Sequence, residues 1–405
     1  DESVSQALSG YRPRISGSAD VGAQQDRTTL PGGTSTQNYL PRGVSLSISQ
    51  TIWNGNRTQN SVSQAESQVF AARETLRNSE NQVLLDGVTA YMNVMRDTAI
   101  LGVRRSNVEV LEEQLRQVRD RFNVGEVTRT DVAQSEAQLA AGRTQLLTAE
   151  SNLTTTRANY RRIIGNDPVS LAPGSPVDRF LPATLATSIN TGLIENPNVT
   201  AAMYGIDVSY LQVKINEGAL FPTVTLQGSV QQAWDSTLQL PRSFNASATA
   251  QVVVPIYQGG AEYALIRQSK ESLAQQRLNL DLVRDQTRAT IAQAWGQLIA
   301  GRSQVASAQA QVTASEIALN GVREEARVGQ RTTLDVLNAQ QELVSARSSL
   351  VVAQRDRVVA SYAVLSAIGK LSAQSLKLKA EIYDARQHYE QVQGKLWGTQ
   401  TPDGR

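Results

Sequence analysis

Two hydrophobic rhythms take turns along this chain. Tyr11, Pro13, Ile15, Gly17, Ala19 and Val21 fall on one face of an alternating segment, with Arg12, Arg14, Ser16, Ser18 and Asp20 on the other. Val44, Leu46 and Ile48 alternate likewise with Ser45, Ser47 and Ser49. Farther on, Val224, Leu226, Gly228 and Val230 alternate with Thr223, Thr225, Gln227, Ser229 and Gln231, and Phe244 to Val254 repeats the pattern. A period of two belongs to a strand with one apolar and one polar face, which predicts strands at about 11–23, 43–53, 222–234 and 244–257. Between the strands the spacing changes to three, four and seven, through Ala65, Val69, Ala72, Leu76, Val83, Val94, Leu101, Val108, Leu115 and Val118. That is a coiled-coil seam, and it predicts helices at about 58–122 and 129–164, then again at about 261–326 and 333–368. The first of these is roughly 65 residues, or about 95 Å. Gln, Ser, Arg and Asn cover the other sides, so one side of each helix must stay wet.

The same order occurs twice. Asn123-Val124-Gly125-Glu126-Val127-Thr128-Arg129-Thr130-Asp131-Val132 returns as Arg327-Val328-Gly329-Gln330-Arg331-Thr332-Thr333-Leu334-Asp335-Val336, an offset of 204 residues (131 to 335). The same offset relates Ile52-Trp53-Asn54-Gly55 to Ile256-Tyr257-Gln258-Gly259 and Ile164-Gly165 to Ile368-Gly369. A register held over that distance indicates a duplicated structural unit. The expected organisation is a first repeat over 1–165, a linker over 166–182 with four prolines, a second repeat over 183–369, and a C-terminal segment over 370–405. The second repeat opens with a helical stretch ending near Gly218, whereas Asp1 to Gly10 alone stand in the matching place of the first. A half-helix and a leader are therefore expected upstream.

Composition narrows the chemistry. The 405 residues carry 39 basic and 37 acidic side chains, a balance that makes nucleic acid an unlikely partner. Cysteine is absent and His388 is the single histidine, so disulfides, thiol chemistry and Cys/His zinc sites are excluded. No apolar run is long enough for a transmembrane helix, so any membrane contact must be made by strands. In a soluble sandwich the polar strand face would simply meet solvent. Against that stand the aromatic residues at the strand ends, Tyr11, Trp53, Phe221, Trp234, Phe244 and Tyr257, and strand lengths that suit a tilted membrane strand. Four strands are too few to close a membrane barrel, so several chains would have to build it.

At each hairpin Gly125 and Gly329 are placed as left-handed caps, and Thr128 and Thr332 as N-caps answered three residues on by Asp131 and Asp335. The two aspartates could form a carboxylate pair for acid–base work, but no His, Cys or metal-spaced cluster lies near them in sequence. Nor is there a nucleophile elbow or a phosphate-cradling loop. The chain is expected to be no enzyme, with no cofactor and no metal.

Strand pair, very long helix, V-G-x-x-T-x-x-D hairpin and shorter helix, twice over, resembles the TolC-type outer-membrane channel family. Supporting motifs are Gln50-Thr51-Ile52-Trp53-Asn54-Gly55, Val254-Pro255-Ile256-Tyr257-Gln258-Gly259-Gly260, Arg121-Phe122-Asn123-Val124-Gly125 and Thr332-Thr333-Leu334-Asp335-Val336-Leu337. The ending Trp397 to Arg405 is similar to alphaproteobacterial members. The resemblance implies a mainly α protein with membrane β-strands, in which three chains of four strands form a 12-stranded barrel in the outer membrane. Their helices would continue it as an α-barrel in the periplasm, closed at the far end by the hairpin tips. The implied function is the exit duct of tripartite multidrug efflux or type I protein secretion systems. Its partners would be outer-membrane lipid, a periplasmic adaptor (membrane fusion) protein and, through it, an inner-membrane pump or ABC transporter.

Residue by residue, the family's features carry over unevenly. Asp335 matches an aspartate of the entrance ring, but Asn338 stands where the second would be. Arg331 matches the arginine that clamps the closed state, and Thr130 and Asp131 match its partners on the neighbouring hairpin. Ala326 replaces the tyrosine that assists this clamp. Gln114 matches one end of another closing link, whose acidic end is Arg323 here. The tips Val124-Gly125-Glu126 and Val328-Gly329-Gln330 match the places where adaptor hairpins dock. The competing expectation is a soluble periplasmic coiled-coil adaptor or scaffold, although such a protein normally offers one hairpin rather than two.

Overall fold

The computed structural model describes residues 1–237, 240–379 and 381–401. In chain order the elements are α1 (Glu2–Leu8), β1 (Arg14–Val21), β2 (Gln24–Leu30), β3 (Gly33–Tyr39), β4 (Arg42–Trp53), α2 (Arg57–Asn123), α3 (Arg129–Ile164), α4 (Leu185–Glu195), α5 (Pro197–Gly218), β5 (Thr223–Thr237), β6 (Leu240–Val253), α6 (Ala261–Arg327), α7 (Thr333–Ala367) and α8 (Ala385–Gln393). They fall into two units, one of residues 1–74, 200–282 and 383–405, the other of 75–199 and 283–382.

The first unit carries an antiparallel sheet in the order β1-β4-β5-β6. Prolines set several of its ends. Pro13, with no N–H to donate, leaves β1 to begin at Arg14, and Tyr11 sits in a 3-10 turn just before it. Pro255 follows the end of β6, so Tyr257 lies beyond the strand rather than within it. The expected strand regions do not include β2 and β3, which pair into a second ribbon. That ribbon continues the β1–β4 hairpin in unbroken register, from Arg14↔Ser49 and Val21↔Arg42 to Gln24↔Tyr39 and Leu30↔Gly33. At the interruption Gly22 N–H still donates to the Pro41 carbonyl at 2.8 Å, but Pro41 cannot donate back. The four-stranded sheet is thus joined by a polar ribbon whose residues alternate without an apolar face.

α8 packs against α1. Val392 is buried, Ser5 Oγ donates to its carbonyl at 3.2 Å, and the Arg73 guanidinium lies 5.9 Å from the Tyr389 ring centroid. His388 is half-buried with Nδ1 3.0 Å from Asp1 Oδ2. Ala380 and residues 402–405 of the expected C-terminal segment lie outside the described residues.

In the second unit the helices meet along narrow seams. The first hairpin buries Val108, Leu111 and Leu115 of α2 against Leu139 of α3. The second buries Val312 and Leu319 of α6 against Leu343 and Ala346 of α7. Val108, Leu115 and Leu139 return as Val312, Leu319 and Leu343 at the repeat offset. Leu337 of α7 adds itself to the first seam, where burial of a leucine contributes about 1.5–3 kcal/mol. Gly142 leaves room for Leu111, whose Cδ1 would stand 2.8 Å from a Cβ there and would have to shift; the second repeat places Ala346 at this position and the smaller Ser315 opposite. A further core gathers Ile291 and Leu298 of α6 with Val364, Leu365, Ile368 and Leu371. The Arg302 and Arg357 guanidiniums hold Asp178 of the linker at 3.3 and 3.2 Å, while Pro197 divides the helical opening of the second repeat into α4 and α5.

Candidate functional site: hairpin tips and membrane sheet

Each long helix ends in the same turn. Gly125 (φ +79°) and Gly329 (φ +76°) adopt the left-handed conformation that favours glycine. Glu126 N–H then donates to the Arg121 carbonyl and Gln330 N–H to the Glu325 carbonyl, both at 2.9 Å, which is the six-to-one bond of a Schellman ending. Next come two full capping boxes. Asp131 N–H donates to Thr128 Oγ1 at 3.3 Å while Thr128 N–H donates to Asp131 Oδ2 at 2.9 Å. In the second hairpin Asp335 N–H donates to Thr332 Oγ1 at 3.2 Å and Thr332 N–H to Asp335 Oδ2 at 3.0 Å. The hydroxyl and amide of Thr128, with Arg121 adding a little, hold the Asp131 carboxyl below the usual aspartate range. The amide and hydroxyl of Thr332, then the charge of Arg331, do the same for Asp335.

Within one chain the Arg331 guanidinium is held by Glu325, Nε to Oε2 2.8 Å, rather than by Thr130 or Asp131. Thr130 and Asn338 are exposed and Ala326 is half-buried. Arg323 donates to Gln340 Oε1 at 3.0 Å, and Gln340 Nε2 donates onward to Asn107 Oδ1 of α2 at 3.2 Å. Gln114 is half-buried with its Oε1 shielded from solvent and unbonded to protein. Val124 and Val328 protrude from the tips at 72% and 71% exposure. Sequence inspection missed two braces across the turns, Arg121–Glu126 at 3.0 Å and Arg331–Glu325. The signal was present as opposite charges five and six residues apart, but the familiar helical spacing of three or four does not reach across a Schellman turn.

In the sheet, hydrogen-bonded register assembles the two faces. One face carries the rows Ile15, Ile48, Gly228, Ala248 and Gly17, Leu46, Val230, Ala246. The other carries Ser16, Ser47, Ser229 and Ser247, with hydroxyl pairs at 2.8 Å (Ser16–Ser47) and 2.9 Å (Ser229–Ser247). Leu46 is 56% exposed and Ile15 66%, so the apolar face has little protein cover among the described residues. Trp53 and Phe221 meet edge to face, 6.3 Å between centroids, at the end where the helices leave. Trp234 and Phe244 lie toward the other end of the strands. From Val224, the partner of Trp53, to Trp234 is ten residues, or about 34 Å along the strand. Tilted by about 40°, that covers the roughly 25 Å apolar band of an outer-membrane barrel.

An apolar strand face banded by aromatics, joined to long helical hairpins with sharply capped tips, defines an outer-membrane channel protein with a periplasmic helical part. The chain belongs to the outer membrane efflux protein family, whose pattern it matches over residues 1–166 and 189–370. It is 41% identical over 407 residues to the outer membrane efflux protein BepC of Brucella suis, covering 100% of this chain and 87% of that one. It is 23% identical over 391 residues to the outer membrane protein TolC of Escherichia coli, covering 93% and 78%. Its fold is similar to that of the CmeC outer membrane channel of Campylobacter jejuni, with a TM-score of 0.78, 17% identity and coverage of 96% and 83%. The family is one of channels, not of enzymes, and its role is efflux or type I secretion through the outer membrane. The soluble adaptor alternative gains no support from these relatives.

Proposed function

We propose that three copies of this chain close into one 12-stranded barrel, continued by a periplasmic α-barrel whose hairpin tips form a gate. The observation that carries this reading is the four-stranded sheet with an exposed apolar face and two edges, β1 and β6, that have no strand partner among the described residues. In lipid an open edge leaves N–H and C=O groups with no partner, so the sheet must be closed. One chain has too few strands to do so, and three supply an even number above the minimum of about eight. The serine-lined face then borders the lumen and the apolar face meets lipid.

The gate is formed by Arg331 of one hairpin against Thr130 and Asp131 of its neighbour, with Asp335 and Asn338 lining the mouth. Asp335 supplies a ring of negative charge that attracts cations, weakened by the amide at 338. The Gln114 and Arg323 positions contribute little to closure, since Arg323 is engaged by Gln340 of its own hairpin. Val124-Gly125-Glu126 and Val328-Gly329-Gln330 present the exposed valines on which an adaptor docks, and through the adaptor the duct meets an inner-membrane pump or ABC transporter. The C-terminal segment lies outside the barrel.

Planar-bilayer recording of the purified protein tests the gate. A small stepwise current in the wild type that grows several-fold in Arg331→Ser supports it. Equal currents in the two proteins would leave the channel standing and remove Arg331 from its gate.

A further inference from the structure

Gly329 turns the chain so that residue 331 comes back alongside the last turns of α6, and the bond from Gln330 N–H to the Glu325 carbonyl fixes that approach at 2.9 Å. The result is the 2.8 Å contact between Arg331 Nε and Glu325 Oε2, both side chains about half exposed (51% and 47%). Other carboxylates nearby have different partners. Asp335 Oδ2 accepts from the Thr332 amide and hydroxyl at 3.0 and 2.9 Å, and Glu324 pairs with Arg327 at 3.2 Å. The first tip contains the same kind of brace with the signs exchanged, since there the helix contributes Arg121 and the turn contributes Glu126. A brace across this turn is therefore a property of both hairpins. Only the second one uses it to restrain a cation in the turn.

We propose that Glu325 is a positioning residue for the gate, holding Arg331 against its own hairpin in competition with Thr130 and Asp131 of the neighbouring one. This rests on the gate described above. Opening then exchanges one carboxylate for another, and the guanidinium keeps a charged partner in both states. Neither state bears the penalty of an unpaired arginine, so the balance between them is shallow and a docked partner can tip it. An exposed ion pair of this kind shifts such a balance by no more than about five-fold.

The test is single-channel recording of the full chain, reconstituted from detergent, as wild type, Glu325→Gln, Glu325→Asp, Arg331→Ser and the double variant Glu325→Gln/Arg331→Ser. Retention of the assembled oligomer on electrophoresis checks folding, and Glu325→Ser replaces Glu325→Gln if the latter does not assemble. The expected result is a time-averaged current about two- to five-fold below wild type in Glu325→Gln, restored in Glu325→Asp. Arg331→Ser should raise the current, and the double variant should match Arg331→Ser alone. A Glu325→Gln current at or above wild type, with Arg331→Ser still raised, overturns the role of Glu325 and leaves the gate intact. Persistence of the Glu325→Gln effect in the Arg331→Ser background also overturns it, because Glu325 would then act on something else. No rise in Arg331→Ser removes the gate and the proposal together.

Discussion

At matching depths of the two repeats, Arg119 meets Glu136 at 2.6 Å and Arg323 meets Gln340 at 3.0 Å. The first is an ion pair in solvent, with Glu136 49% exposed. The second is a neutral acceptor with only 6% exposure, because Gln340 also reaches across to Asn107 of the first hairpin. A carboxylate at 340 would be desolvated and could not donate to Asn107. At another level of the same hairpins the repeats agree: Arg143–Glu112 and Arg347–Glu316 are both 2.7 Å, at equivalent positions. Duplication has kept this pair, which faces water on both hairpins. It has altered the one drawn into contact between hairpins.

Three experiments would break or sharpen this contrast. The largest effect is expected in the sheet, where Leu46 of the first repeat and Val230 of the second stand side by side. Leu46→Arg and Val230→Arg should each cost about 2–4 kcal/mol in lipid, seen as loss of folded protein from the membrane fraction, while Ser47→Arg on the opposite face is tolerated. A large gap between the two apolar substitutions would show that the repeats share the bilayer unequally. Next, Gln340→Glu should destabilise by about 1–3 kcal/mol in denaturant titration, against a change within about 0.5 kcal/mol for Glu136→Gln. Equal losses would mean that burial is not what separates the two sites.

The smallest effect is expected where the repeats agree most. Thr128→Ala removes a cap and should cost about 1 kcal/mol, read as faster hydrogen exchange at the first tip and unchanged exchange at the second. Both capping carboxyls are held below their ordinary value of 3.8. Their contribution is therefore complete above that value and is lost as pH falls through the lower, folded-state value. Both tips should loosen together in acid, and Thr128→Ala should diminish the acid step at the first tip alone. A first tip that fails to loosen in acid would contradict the carboxylate's part in the cap.

What the sequence discloses follows the strength of each physical signal. Thr-x-x-Asp after Gly is a local pattern with one good solution, and both capping boxes form as that pattern suggests. Alternation at Val44-Leu46-Ile48 is visible because one face is apolar. The ribbon of β2 and β3 alternates as well, but Gln24, Asp26, Thr28 on one side and Gln25, Arg27, Thr29 on the other are all polar, so hydrophobicity cannot report it. Pro31-Gly32-Gly33 was its only mark. The braces at the tips were hidden for another reason: a left-handed glycine brings together charges that helical spacing keeps apart. Burial of Gln340 depends on contact between two hairpins and leaves no trace in either one.

The two bare edges of the sheet carry a genetic consequence. In the proposed three-chain barrel every copy must form a joint on each side, so a copy with one damaged edge would spoil whatever ring receives it. Such an allele, expressed beside the wild type, would poison assemblies made mostly of sound subunits and behave as a dominant. Damage confined to the serine-lined face would leave both joints intact and be masked by a normal copy. The inheritance pattern of strand mutations should thus separate seam from lining without any structural measurement.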